Sequence, residues 1–422
     1  MHSIRFFLVC ATALSALAPA ACIEDASGPG EDNPGDGNNT PGFAARRVSS
    51  EVEPTRKYAY LSIGGIGTEE EARAYYRAIG ADDSLTLEQW AKDNIGDDTV
   101  KALYRNDVDV GFWREVTCSR QVGRGFGGCM LRNWTNPTDA ADEGKQLANL
   151  GGMSFKLSKE GVTQFFVFDN TGRLSTKEVL DSEGEKFVPL LCTSCHGGQY
   201  GGGETTDLGS IWREFEPSNF VKHPDVSDAE AAQQWFALNQ VIRQANAALR
   251  TEAEGGAPGI DRRRAAMLDY LDKMYSQTDP PVARNVRDPA LMPAAWKTGP
   301  SSHRPGYQKA KEDLWTRVVN PYCMGCHRHS VMRDFADYAD FEDLGAILDG
   351  QSVLEALVFP SSDDPTRDVL PVMPQSEHMS RRLRNDAQAI QAIEEWLTQR
   401  TISTMPCARR IAPATGITVL NG

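Results

Sequence analysis

The chain has 422 residues, 40% of them apolar and 24% charged, with a formal net charge of −14. That length allows two or three domains. The negative balance argues against a nucleic-acid partner and leaves room for redox partner proteins with a basic surface.

Residues 1–21 read as a signal peptide. Arg5 gives a short positive region, and Phe6 to Leu17 form an apolar stretch too short to span a bilayer. Ala18-Pro-Ala20 fits a signal-peptidase site. Ala20-Ala21-Cys22 resembles the end of a bacterial lipobox, with Cys22 lipidated after cleavage. Residues 22–50, rich in Gly, Pro, Asn, Asp and Glu, read as a flexible tether, which favours lipidation over soluble export. Both routes lead to the periplasm or the outer membrane, with membrane contact only through the lipid anchor.

Residues 51–300 read as an α+β domain. Thr68-Glu-Glu-Glu71 is a capping box ahead of Ala72, Tyr75, Tyr76 and Ile79, and Thr86-Leu-Glu-Gln89 repeats it ahead of Trp90 and Ile95. Gly64-Gly65-Ile-Gly67 is a turn, since no Lys-Ser/Thr follows it. Residues 106–134 show no clean period. Met153 to Leu157 and Thr163 to Phe168 read as strands, with a turn at Asp169-Asn-Thr-Gly172. Gly197 to Gly203 is either a close approach to a bound macrocycle or a plain surface loop. Helices are expected at Ala229–Leu249 and Arg262–Tyr275.

Residues 279–305 are Pro-rich and read as a boundary before a mainly α domain over 303–400. There Tyr307, Ala310, Leu314 and Val318 mark a helix running into Cys323. Asp386–Gln399 is a second helix, with Ile390, Ile393 and Leu397 on one face and Trp396 near its end. Residues 401–422 read as a tail.

The chemistry lies in a string that occurs twice: Cys192-Thr-Ser-Cys195-His196 and Cys323-Met-Gly-Cys326-His327. Cys-x-x-Cys-His is the attachment site of c-type haem: two thiols form thioethers to the porphyrin and the His supplies the proximal iron ligand. A redox dithiol has no need of the following His, and zinc would want four ligands in one place. Two covalently bound haem c groups are therefore expected. Of nine cysteines, Cys10 leaves with the signal and four hold haem; Cys22, Cys118, Cys129 and Cys407 remain. Cys118 and Cys129 flank a Gly-rich turn, Gly123 to Gly128, and are expected to form a disulfide in an oxidising compartment.

The sixth iron ligand decides between electron transfer and reactions at an open iron. For the second haem the candidate is Met373, in Leu370-Pro-Val-Met373-Pro374, with Met379 behind it; His329 and His378 read as surface residues. For the first haem it is Met292, in Ala290-Leu-Met292-Pro293, against an open site. Met267 and Met274 read as core, and His223 as a solvent-facing loop residue.

A helix before the attachment site, a terminal helix bearing an aromatic, and a Met-Pro loop between them resemble the class I cytochrome c fold over 303–400. Two further patterns are Asn106-x-x-Asp109-x-Gly111-Phe112-x-Arg114-x-x-x-Cys118 with Cys129 and Asn133-Trp134, and Phe168-Asp-x-x-Gly172 leading to Pro189-x-x-Cys192-x-x-Cys195-His196-Gly-Gly198. Together they resemble a group of exported bacterial di-haem cytochrome c domain proteins over most of 58–400. The resemblance implies haem binding and single-electron transfer between partners outside the cytoplasmic membrane. Di-haem cytochrome c peroxidases also place two such motifs in one exported chain, which implies the alternative of an enzyme with an open first haem. A third reading is a haem-bearing sensor whose α+β part recognises a ligand through Asp109 and Arg114, a pair otherwise read as a structural ion pair.

Overall fold

The computed structural model describes residues 67–106, 111–134, 151–180, 185–278, 280–298, 306–328, 334–342, 347–348, 351–352 and 377–399, all within the unit Arg47–Gly422. Helices α1 (Glu69–Ala78) and α2 (Leu87–Asn94) begin where the capping signals stand: the Thr68 and Thr86 hydroxyls accept from the amides of Glu71 and Gln89. Strands β1 (Thr99–Asn106), β2 (Trp113–Ser119), β3 (Gly128–Trp134), β4 (Gly152–Leu157), β5 (Thr163–Phe168) and β6 (Leu174–Ser175) run as an antiparallel meander. Two short strands, β7 (Lys177–Glu178) and β8 (Lys186–Phe187), pair separately. Strand β9 (Phe220–Lys222) returns beside β1, so the main sheet reads β6-β5-β4-β3-β2-β1-β9.

The stretch expected to be irregular, 106–134, therefore contains two strands. All but one of the seven residues in each of β2 and β3 are buried, so their sequence carries no polar alternation to read. Arg114 faces Asn133 across this pair and donates to it from Nε at 3.0 Å. Asp109, its expected ion-pair partner, lies outside the described residues. Cys118 and Cys129 stand opposite each other in the same register and are joined as a disulfide.

Neighbouring side chains on β5 point to opposite faces of the sheet. Phe166 packs on one face with Tyr76 of α1 and Trp90 of α2. Phe165 points to the other face with Phe155, its partner on β4. Strand β6 pairs only with the last two residues of β5. Tyrosines also serve this edge: the Phe165 amide, ahead of β6, donates to Tyr75 Oη, and the Val167 amide to Tyr76 Oη, which in turn donates to the Ser175 carbonyl.

Helix α3 (Leu190–His196) carries the first motif. Helices α4 (Asp228–Ala248) and α5 (Ile260–Met274) pack together, with α4 also against β1 and β2. Met267 and Met274 are fully buried in this first core.

The second core begins at Met292, inside the Pro-rich stretch and ahead of residue 303, where the second domain was expected to start. Asp288 caps a short turn, Pro289–Leu291, that feeds Met292 and Trp296 of α6 (Ala294–Lys297) into that core. Helix α7 (Tyr307–Leu314) continues as a π-helical stretch, Trp315–Cys323, and then as α8 (Met324–His327), the second motif. Buried Lys311 of α7 donates to the carbonyls of Ala295 and Thr298 and lies over the Tyr338 ring, which ties α6 and α9 (Tyr338–Glu342) to α7. Helix α10 (Glu377–Arg384) leads to α11 (Ala387–Gln399), which packs on α7 and the π-helical stretch and sends Trp396 Nε1 to Tyr338 Oη at 3.0 Å. Among the described residues no helix is long and apolar enough to cross a membrane.

Candidate functional site

The first motif is organised by its neighbours on both sides. On α3 the two hydroxyls between the cysteines bond back to their own helix, Thr193 to the Leu190 carbonyl and Ser194 to that of Leu191. After His196 the chain doubles back. Gly198 has φ 93°, and a Cβ there would stand 2.1 Å from the Leu208 carbonyl oxygen, so only glycine lets the two segments lie this close. The returning strand of chain brings Ile211 to His196. The Ile211 amide donates to the His196 carbonyl at 3.0 Å, and His196 Nδ1 lies 3.0 Å from the Ile211 carbonyl. A carbonyl only accepts, so Nδ1 carries the proton and Nε2 is left with a free lone pair. Phe155 and Phe165 flank the ring at 5.6 and 4.9 Å. Burial pushes His196 down to about 4, against the opposing effect of the Ile211 carbonyl, so the imidazole is neutral.

The segment after Ile211 is held by two asparagines on α4. Asn246 exchanges hydrogen bonds with the amide and carbonyl of Trp212, at 3.1 and 2.9 Å. Asn239, seven residues earlier and so on the same helix face, does the same with Phe215, at 2.9 and 2.8 Å. These amides act as a substitute β-ladder. Between the two anchored positions lie Arg213 and Glu214.

Arg213 spans the two motifs. Its Nη1 donates to the Cys195 carbonyl at 2.8 Å and its Nη2 to the Met324 carbonyl at 2.9 Å. Glu214 accepts from Arg213 at 3.0 Å and from Arg328 at 2.8 Å. Arg328 also donates to Asn320 Oδ1 at 2.9 Å and lies 3.3 Å over the Tyr270 ring. Both side chains of the Arg328–Glu214 pair are 4% exposed. Burial alone would raise Glu214, but the two guanidiniums overcome that and hold it at about 2. The result is that α3 and α8 pack together with Cys195 Sγ and Cys326 Sγ only 3.5 Å apart.

In the second motif Phe335 stacks on the His327 ring at 3.9 Å and 12°, and its amide donates to the His327 carbonyl. Trp296 Nε1 holds the Phe335 carbonyl at 2.8 Å. Burial pushes the Cys323 thiol up to about 12 and the Cys192 thiol up as well, which keeps both protonated. That is opposite to the low-pKa thiolate of a redox-active dithiol.

The structure thus brings together Cys192, Cys195, His196, Cys323, Cys326 and His327. It also places the two motifs side by side, with Cys195 Sγ and Cys326 Sγ in contact. Among the described residues, however, no group of three or more His, Cys, Asp or Glu side chains is placed to hold a metal ion. Met292 does not join the first motif: it is 4% exposed and packs in the second core with Trp296 and Trp315, because the Pro289–Leu291 turn delivers it there. Met379 is buried in the same core. His223 is buried, contrary to the expected solvent-facing position: its ring packs edge-on against Trp113 and its Nδ1 accepts from the Asp225 amide at 3.3 Å. The ring of His378 lies against Gly111. Met373, His329 and Cys22 lie outside the described residues.

Sequence reasoning missed Arg213, Glu214, Arg328, Asn239 and Asn246. Only the two asparagines carried a signal, since Asn is unfavourable in a helix interior unless its amide has a task. No family model, curated protein or solved structure matches this chain.

Proposed function

We propose that the chain is a di-haem c-type cytochrome that passes single electrons between partner proteins outside the cytoplasmic membrane. The observation that carries this reading is the pair of Cys-x-x-Cys-His motifs, each on a helix, with His196 neutral and bonded through Nδ1 to a backbone carbonyl. That is the tautomer an axial His needs, because the outer bond fixes the ring and frees Nε2 for iron. The donor chemistry fits the group: none of Cys192, Cys195, Cys323 and Cys326 is in a disulfide, so their thiols are available for thioether bonds. When bound, haem supplies reversible one-electron chemistry at iron.

The residues of this chain then hold and insulate it. Cys192 and Cys195 would tether the first haem and His196 would take its proximal side; Cys323, Cys326 and His327 would do the same for the second. Phe155 and Phe165 pack against the His196 ring, and Phe335 stacks on that of His327. Arg213 fixes the attachment helices against each other, so the two sites adjoin. We assign Met373 as sixth ligand of the second haem and the region 303–400 to a class I cytochrome c-like domain. A Cys22 lipid anchor with its tether would place the protein at the periplasmic or outer-membrane surface, where a Cys118–Cys129 disulfide is at home.

A second reading, a peroxidase-like enzyme with an open first haem, is favoured by one observation: Met292 packs in the second core rather than beside His196.

The test is haem and metal content of the exported full-length chain, followed by optical and EPR spectra. Two covalent haems, both low-spin, support the carrier. A high-spin first haem that binds cyanide and peroxide supports the enzyme. Zinc without haem overturns both.

A further inference from the structure

One sulfur contact in the site lies between the motifs. Cys195 Sγ and Cys326 Sγ are 3.5 Å apart, and both side chains are partly exposed, whereas Cys323 is buried. A disulfide requires closure by about 1.5 Å from that distance. The pairs inside each motif are less favourably placed. Residues three apart on a helix hold their Cβ atoms about 5–6 Å apart, while a disulfide needs about 3.5–4.5 Å. Cys192 and Cys195 both lie within α3, so joining them means distorting that helix. The cross-motif pair lies on two separate helices, with its sulfurs already 3.5 Å apart. It is held in place by the Arg213 guanidinium, bonded to the backbone of Cys195 and of Met324, and by the buried Glu214–Arg328 pair behind it.

We propose that, before haem is attached, Cys195 and Cys326 form a redox-sensitive pair that closes as a disulfide between the two motifs. One bond then blocks both attachment sites at once. The blocking role rests on the di-haem reading; the thiol pair itself does not. The oxidant is a disulfide, either a protein dithiol oxidant or oxidised glutathione. One cysteine sulfur, having lost its proton, attacks a sulfur of that disulfide, forms a mixed disulfide and releases one thiol. The second cysteine sulfur, also deprotonated, attacks the first, forms the S–S bond and releases the other thiol. The pair loses two electrons and two protons, and the oxidant becomes two thiols. A dithiol reductant reverses the step and reopens both sites to haem.

The experiment uses the full-length chain exported in cells that cannot attach haem. It is treated with oxidised glutathione, alkylated, digested and mapped by mass spectrometry. The expected product is a Cys195–Cys326 linked peptide as the main cross-link besides Cys118–Cys129. Cys195→Ser and Cys326→Ser should each abolish it, and Arg213→Gln should slow it several-fold. Predominant Cys192–Cys195 and Cys323–Cys326 links would overturn the proposal. So would four free thiols in a chain whose Cys118–Cys129 disulfide resists reductant, a sign that the chain is folded. The same mapping on rapidly alkylated nascent chain, in cells that do attach haem, reads the pair in a maturing protein and decides the matter if the haem-free chain proves unfolded. Haem incorporation is then compared before and after reduction. A several-fold rise at both motifs on reduction supports the block, and equal incorporation sinks it. A cross-linked chain that takes up no haem even after reduction would defeat the di-haem reading and leave the thiol pair standing.

Discussion

His196 and Ile211 are bonded to each other twice, side chain to backbone and backbone to backbone, both at 3.0 Å. The imidazole is therefore positioned by a segment fifteen residues downstream, and that segment depends on the tight return at Gly198. Gly198→Ala forces a side chain into positive φ and against the Leu208 carbonyl. The expected cost is about 1–3 kcal/mol, read as a lowered Tm. The optical bands of the first haem should broaden or shift while those of the second stay in place.

Glu214 carries the second prediction. Its folded pKa of about 2 lies below the ordinary value of about 4.3 for a free glutamate. A depressed carboxylate stabilises the fold at pH values above its unfolded pKa, and that contribution is lost as pH falls through the folded one. Wild type should lose stability between about pH 4 and pH 2. Glu214→Gln leaves two buried guanidiniums without their carboxylate and should cost on the order of 3 kcal/mol at neutral pH. It should also flatten the acid limb. Denaturant midpoints measured across that pH range separate the two proteins; parallel acid limbs would show that the ion pairs contribute nothing.

Met292 was expected to reach the first iron, and the structure packs it in the second core. Met292→Ala should therefore act as a cavity mutation, with a cost of about 2–5 kcal/mol. The first haem's spectrum should be unchanged. Loss of a Met-to-iron absorption band from that haem would restore Met292 as its ligand.

The Cys118–Cys129 disulfide closes a separation of 11 residues at the β2–β3 hairpin. Replacing both cysteines with alanine should lower stability by about 2–4 kcal/mol. The haem content of the folded protein should be unaffected, since the bond lies away from both motifs in sequence and serves the hairpin.

The elements that could be read from sequence were those with a local signature. Thr68 and Thr86 announce their helices by capping chemistry, β4 and β5 by their apolar content, and both Cys-x-x-Cys-His strings by spacing alone. Strands β2 and β3 were illegible because burial on both faces erases alternation. The Arg213–Glu214–Arg328 cluster was illegible for a different reason. Arg328 lies 114 positions from Glu214, and an Arg-Glu dipeptide gives no sign that it will be buried. That cluster also ties the two motifs to each other through Arg213. Met292 shows how little a local pattern says about packing: a Met-Pro pair suggested an iron ligand, and the side chain packs in the second core after the Pro289–Leu291 turn.

The tyrosine hydroxyls along β5 have a consequence for the behaviour of many molecules together. An open strand edge offers amide donors to any passing chain and can seed aggregation. Tyr75 and Tyr76 already occupy the Phe165 and Val167 amides, along an edge where the two-residue strand β6 reaches only Val167 and Phe168. Two phenol oxygens thus do the work of a missing strand, and they keep this sheet from recruiting a neighbour's.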